Sequence, residues 1–166
     1  MERVMIIGGS GAGKSTLARM LGEKLGLPVV HLDQIWWKPG WVESEREEFD
    51  EKVRKEMEKP RWVIDGNYSR TIEMRIEKAD TIIYLDFSRF ACLRGVLMRY
   101  LQNMGRTRVD MPEGCPEKID WEFICFVWNF NKRNRERTYR WLNEAEGKET
   151  IVLKNRRAVK RFLEQL

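Results

Sequence analysis

The sequence predicts a three-layer α/β domain built on a five-stranded parallel sheet. Short apolar runs alternate with segments of helical spacing, and the first run enters a glycine-rich loop that opens directly into a helix. Parallel strands joined by helices take right-handed crossovers, which set the ligand site at the carboxyl ends of the strands. At 166 residues the chain has room for one domain, at ~150 residues each, with a sizeable core.

Arg3-Val4-Met5-Ile6-Ile7 reads as a buried strand ending in glycines. Leu17, Met20, Leu21 and Leu25 then recur at helical spacing, with Gly26 and Pro28 as the stop. Val29-Val30-His31-Leu32 is a second strand. Ser44-Glu45-Arg46-Glu47 reads as a capping box for a helix to about Lys59, ended by Pro60. Its narrow stripe of Phe49, Val53 and Met57 buries little, so it belongs at the periphery and is free to move.

Trp62 to Asp65 and Thr81 to Asp86 are two more strands, each closing on an aspartate, with helix-compatible sequence from Ser69 to Lys78 between them. Phe90, Leu93, Leu97, Met98 and Leu101 mark a helix from Arg89 to Asn103, and Gly105 to Pro116 reads as a loop. A long helix is expected from Trp121 to about Ala145, with Trp121, Phe123, Phe126, Val127, Trp128 and Phe130 as its core residues. Thr150 to Leu153 is the fifth strand, before a terminal amphipathic helix carrying Val159, Phe162, Leu163 and Leu166.

Composition narrows the class. With 42% hydrophobic and 34% charged residues and a mean hydropathy of −0.58, the chain is neither disordered nor fibrous. No run approaches the ~18 apolar residues that cross a bilayer, and Met1 to Ile7 is too short for a signal peptide, so a cytoplasmic protein without a membrane partner is expected. Cys92, Cys115 and Cys125 form no CxxC pair and read as free thiols; with His31 the only histidine, no structural metal site is expected. Residues 1–88 hold 14 Lys and Arg against 16 Asp and Glu, residues 89–166 hold 17 against 10. The basic second half suits polyphosphate or nucleic acid.

Gly8-Gly9-Ser10-Gly11-Ala12-Gly13-Lys14-Ser15 satisfies G-x-x-x-x-G-K-[ST] between a predicted strand and helix. Backbone N–H groups must wrap a phosphate chain closely, glycines permit that approach, and the helix N-terminus favours negative charge. The expected ligands are ATP and Mg²⁺, with Lys14 on the β- and γ-phosphates, Ser15 on the metal and Thr16 nearer the α-phosphate. Asn131-Lys132-Arg133-Asn134 lacks the fourth residue of a guanine-reading N-K-x-D and lies in a predicted helix, and no D-x-x-G occurs, which disfavours a GTPase switch.

The fold expected is therefore the three-layer P-loop NTPase fold. Val63-Ile64-Asp65-Gly66-Asn67-Tyr68-Ser69-Arg70-Thr71 resembles the D-G-F-P-R-T segment of adenylate kinases, with Asn67-Tyr68-Ser69 in place of Phe-Pro. Over its length the chain also resembles a bacterial group of adenylate-kinase-related proteins labelled DNA topology modulation proteins. That resemblance rests on His31-Leu32-Asp33, Trp37-Lys38-Pro39-Gly40-Trp41, Asp65 to Tyr68, Glu113 to Pro116 and Asp120 to Phe123.

The resemblance implies an adenylate-kinase-like kinase with an acceptor-binding, mobile segment at about 33–60 and a short lid at about 104–120. It places Asp65 beside Ser15 at the metal, Arg70 on an oxyanion of the acceptor, and Asp33 where an acceptor hydroxyl is oriented or deprotonated. Asn155 and Arg156 would flank the donor adenine. Arginines on both sides of the lid suit the transition state of phosphoryl transfer, foremost Arg106, Arg133 and Arg137, with Arg94, Arg99, Arg108 and Arg140 as further candidates.

Each residue also has a plainer reading. Asp33 and Asp65 could be turn residues, Arg70 a surface arginine and His31 a structural histidine. Trp36, Trp37 and Trp41 either stack on a flat ligand or staple the Ser44 helix to the body. Two functions fit the whole: an ATP- and Mg²⁺-dependent phosphotransferase acting on a nucleotide or other small molecule, or an ATP-binding regulator whose basic second half binds nucleic acid and affects DNA topology.

Overall fold

The structure, a computed structural model describing residues 1–166, is an α/β fold whose five main strands pair entirely in parallel. In chain order the elements are β1 (Arg3–Gly8), α1 (Lys14–Leu25), β2 (Val29–His31), α2 (Leu32–Trp36), β3 (Trp37–Lys38), β4 (Val42–Glu43), α3 (Arg46–Met57), β5 (Trp62–Asp65) and α4 (Ser69–Lys78). β6 (Thr81–Leu85), α5 (Arg89–Asn103), α6 (Trp121–Glu144), β7 (Glu149–Leu153) and α7 (Arg156–Glu164) complete the chain.

The sheet order is β2-β5-β1-β6-β7, so after β1 the chain goes to the edge at β2, returns to place β5 between them, and then crosses to β6 and β7 on the other side of β1. The crevice for a ligand opens at that reversal, above the carboxyl end of β1. Side chains of β1 alternate between two cores: Val4 and Ile6 pack with α1, α5 and α7, whereas Met5 and Ile7 pack with α3 and α4. Burial on both faces is why these strands read as unbroken apolar runs. No helix is long and apolar enough to cross a membrane.

Several local expectations are corrected. Leu32 opens the short helix α2 and does not extend β2, and β3 and β4 form a two-stranded antiparallel hairpin around Pro39-Gly40-Trp41. Ser44 does not cap α3: its hydroxyl donates to the Ile35 carbonyl at 3.0 Å, and the helix starts after Glu45 without a side-chain cap. On α6 the buried stripe is Val127, Phe130, Thr138 and Leu142. Trp121 is 77% exposed and Phe126 46%, because the first turns of this helix extend past the sheet beside the 104–120 loop.

Candidate active site

The glycine loop spans β1 and α1, with Gly11 and Gly13 in the left-handed region at φ 80° and 98°. A side chain at Gly11 would collide with the Cys92 carbonyl oxygen at 2.1 Å, so α5 lies directly behind the loop. Lys14 Nζ donates to the Gly9 carbonyl at 3.2 Å, and burial lowers its ammonium pKa against the opposing pull of Asp33 and Asp65. The Ser15 hydroxyl donates to Asp65 Oδ2 at 2.8 Å. Asp65 is 4% exposed at the end of β5, and its Oδ1 meets His31 Nδ1 at 2.5 Å. The resulting oxygen pair, a hydroxyl and a carboxylate, is the donor set Mg²⁺ accepts.

The loop after β5 is fixed from two directions. Asn67 clamps the Gly8 peptide, its Nδ2 donating to the Gly8 carbonyl at 2.7 Å while its Oδ1 accepts from the Gly8 N–H at 3.0 Å. Behind it, the fully buried Arg75 donates to the carbonyls of Gly66 (2.8 Å), Tyr68 (3.1 Å) and Thr71 (3.3 Å). Burial pushes the Arg75 guanidinium pKa down to about 9. These bonds satisfy carbonyls that would otherwise be orphaned, and they hold Asp65 and Tyr68 in register with the glycine loop.

Two clefts meet at Lys14. The larger, about 920 Å³, runs along the glycine loop past Arg19, Arg94, Asn155 and Arg156. None of those three arginines forms an ion pair. The smaller, about 450 Å³, lies between the β3–β4 hairpin, the loop after β5 and the start of α6, and its aromatic lining is Trp37, Trp41, Tyr68, Phe123 and Phe126. Lys14, Asp33, Arg99 and Arg108 line both.

The 104–120 loop is latched across the smaller cleft. Gly40 N–H donates to the Gly114 carbonyl at 2.9 Å, Trp41 Nε1 to Pro116 at 3.2 Å, and Gln34 Nε2 to Val109 at 2.7 Å. From α5, Arg99 donates to Glu117 of the loop at 3.0 Å; within the loop Arg108 donates to Asp110 at 3.0 Å, while Arg108 Nε lies 2.8 Å from the other Glu117 oxygen, an ion-pair contact outside hydrogen-bond alignment.

The structure brings Gly8 to Thr16, Asp33, Asp65, Asn155 and Arg156 around the clefts. It does not bring four other expected residues there. Arg70 points to α3, where it pairs with Asp50 at 2.6 Å. Arg106 sits on the exposed outer side of its loop. Arg133 is exposed on α6, and Arg137 bonds Asn134 and lies over the Trp141 ring. The buried stripe of α6 sets which arginines reach the sheet: Arg135, itself more than half exposed, lays its guanidinium on both oxygens of Asp86, which follows β6.

The tryptophans divide between the two readings. Trp36 packs on Phe49 and Tyr68 and so ties α3 to the body, while Trp37 and Trp41 line the cleft. Arg75, Asp110, Glu117 and Arg135 carry no motif in the sequence, and Asn67 stands there only as part of the Asp65 to Tyr68 segment; Gly95 does carry a signal, since a glycine in the middle of a helix marks a close approach.

Residues 4–88, half of the chain from β1 through β6, match the AAA domain family. No curated protein sequence matches. Among solved structures, the fold is similar to shikimate kinase from Acinetobacter baumannii in complex with shikimate, with a TM-score of 0.59 and 17% identity over 99% of this chain and 90% of that one. It is also similar to shikimate kinase from Bacteroides thetaiotaomicron, with a TM-score of 0.55 and 18% identity over 99% and 95%.

Proposed function

Because the chain belongs to the AAA domain family, and its fold is that of a P-loop kinase, we propose that it is an ATP- and Mg²⁺-dependent phosphotransferase acting on a small molecule. The observation that carries this reading is the meeting of two clefts at Lys14 and Asp33. A nucleotide hydrolase or a switch needs only the first cleft; a transferase needs a second that opens onto the same phosphate.

In this reading the triphosphate lies along Gly8 to Thr16, drawn by Lys14, Arg19, Arg94 and Arg156, with Asn155 and Arg156 beside the base. Ser15 and Asp65 hold Mg²⁺, which neutralises charge on the β- and γ-phosphates when bound. An acceptor hydroxyl attacks the γ-phosphorus; the new P–O bond forms as the bond to the β–γ bridging oxygen breaks, ADP keeps that electron pair, and Asp33 takes the hydroxyl proton. Lys14, at the junction of the two clefts, is placed for the charge that spreads over the moving group, and Arg99 and Arg108 hold the 104–120 loop over it through Glu117 and Asp110. The lid role expected of Arg106, Arg133 and Arg137 thus passes to Arg99 and Arg108, and Arg70 serves the α3–α4 contact.

The segments resembling topology modulation proteins supply Asp33, Trp37, Trp41, Asn67 and the latch at Gly114, all in one cleft, so membership of that group is part of this proposal. A cytoplasmic location is equally a proposal. A nucleic-acid-binding role gains no support from the structural neighbours, which are shikimate kinases. The test is ADP release from ATP-Mg²⁺ with a deproteinised small-molecule cell extract. Release that depends on extract and is lost in Lys14→Ala supports transfer; release equal in both proteins overturns it.

A further inference from the structure

The two clefts differ in how their cations are used. Along the glycine loop Arg19, Arg94 and Arg156 have no acidic partner, as a site awaiting a polyphosphate requires. In the smaller cleft Arg99 and Arg108 are both committed to Glu117, and Arg108 to Asp110 as well, while Glu117 is 8% and Asp110 7% exposed. An acceptor carrying its own phosphate would have to pull these arginines off buried carboxylates and leave those carboxylates unpaired. Of the other cations of the cleft, Lys14 belongs to the glycine loop, and Lys118 is exposed and lies over the Trp41 ring at 4.9 Å.

The walls are aromatic from two separate elements. The hairpin contributes Trp37 and Trp41, edge to face at 5.3 Å, and both line the cleft; α6 contributes Phe123 and Phe126, near-parallel at 6.2 Å. Trp41 is the only non-glycine residue with positive φ, at 63°. A bulky side chain held in that conformation is strained, and the half-buried ring lines the cleft. Asp33 forms no ion pair; it accepts from Tyr68 at 2.7 Å and stands beside Lys14 at the junction of the clefts.

Resting on the phosphotransferase reading, we infer that the acceptor is an uncharged compound with a flat aromatic ring and a hydroxyl-bearing arm, a nucleoside or an aromatic alcohol. The ring stacks among Trp37, Trp41 and Phe123, and the arm delivers its hydroxyl to Asp33. Phosphate monoesters and non-aromatic polyols are poor acceptors.

The test measures ADP release from ATP-Mg²⁺ by the full chain with the four ribonucleosides, their 5′-monophosphates, pyridoxine, its 5′-phosphate, and shikimate. The inference expects one neutral aromatic compound to stimulate release about tenfold or more above its own phosphate ester and above shikimate. In Trp41→Ala the KM for that acceptor rises about tenfold while the KM for ATP is unchanged, as expected for lost stacking; Trp37→Leu is the second variant should Trp41→Ala fold poorly. Preference for a monophosphate or for shikimate overturns the acceptor class and leaves the phosphotransferase standing. Stimulation by no compound of the panel also overturns the class, while the extract experiment with Lys14→Ala decides the phosphotransferase separately.

Discussion

Gly95, in the middle of α5, lies so close to Gly11 that a Cβ on Gly95 would sit 2.0 Å from the Gly11 carbonyl oxygen. The phosphate loop therefore takes its shape from a helix 84 residues away in sequence as well as from its own glycines. Gly95→Ala gains helix propensity of about 1 kcal/mol, yet it must push α5 off the loop. The expected result is a loss of ATP-Mg²⁺ affinity of more than about tenfold by calorimetry, with Leu97→Ala, half-exposed on the same helix, near wild type.

Arg75 holds three carbonyls of the loop that carries Asn67 and Tyr68. Arg75→Met keeps the length of the side chain but leaves those acceptors unpaired, and a cost of about 3 kcal/mol in chemical denaturation is expected. Restoring the charge with Arg75→Lys recovers only part of it, because an ammonium cannot fork to three carbonyls. A variant as stable as the wild type would contradict this role.

The Asp110 carboxyl is pushed up by burial, but opposing contributions, Arg108 at 3.0 Å foremost, hold it below its usual value. A carboxyl depressed in the folded state stabilises the fold above its unfolded pKa of about 3.9, and that contribution is lost as pH falls through the lower folded value. Asp110→Asn should thus cost about 2 kcal/mol at pH 7, and the gap from wild type should narrow as pH falls below the unfolded carboxyl value of about 3.9. A gap independent of pH would show that the charge on Asp110 is not what matters.

Much of this was legible in the sequence because the signals are local. Parallel strands buried on both faces spell themselves as apolar runs such as Val4 to Ile7, and a phosphate loop is eight consecutive residues. The lid was a different problem. Which of the arginines in and beside residues 104–120 faces the cleft depends on the rotation of α6, and its apolar residues pointed to a core face that includes Trp121 and Phe126. In the fold Val127 and Phe130 turn inward, Arg135 reaches Asp86, Arg133 is exposed, and Arg137 is held by Asn134 and the Trp141 ring, outside the two clefts that meet at Lys14.

Residues that act from behind left still less trace. Arg75 is one basic residue among several in an amphipathic helix, and only the three-dimensional course of the Gly66 to Thr71 loop shows that it binds that loop. The hairpin that presents Trp37 and Trp41 is too short to announce itself by alternation, and its positive-φ tryptophan occupies a position where glycine would be expected.

The central claim is that the Ser15–Asp65 pair and Asp33 serve transfer of a phosphoryl group to another molecule and not simple hydrolysis. Phosphorus NMR of ATP-Mg²⁺ incubated with the protein and a deproteinised small-molecule extract tests it most directly. The account predicts that the ADP resonances grow together with a new phosphomonoester resonance, and that both vanish in Asp65→Ala. Growth of inorganic phosphate alone, or an unchanged ATP spectrum, would contradict it.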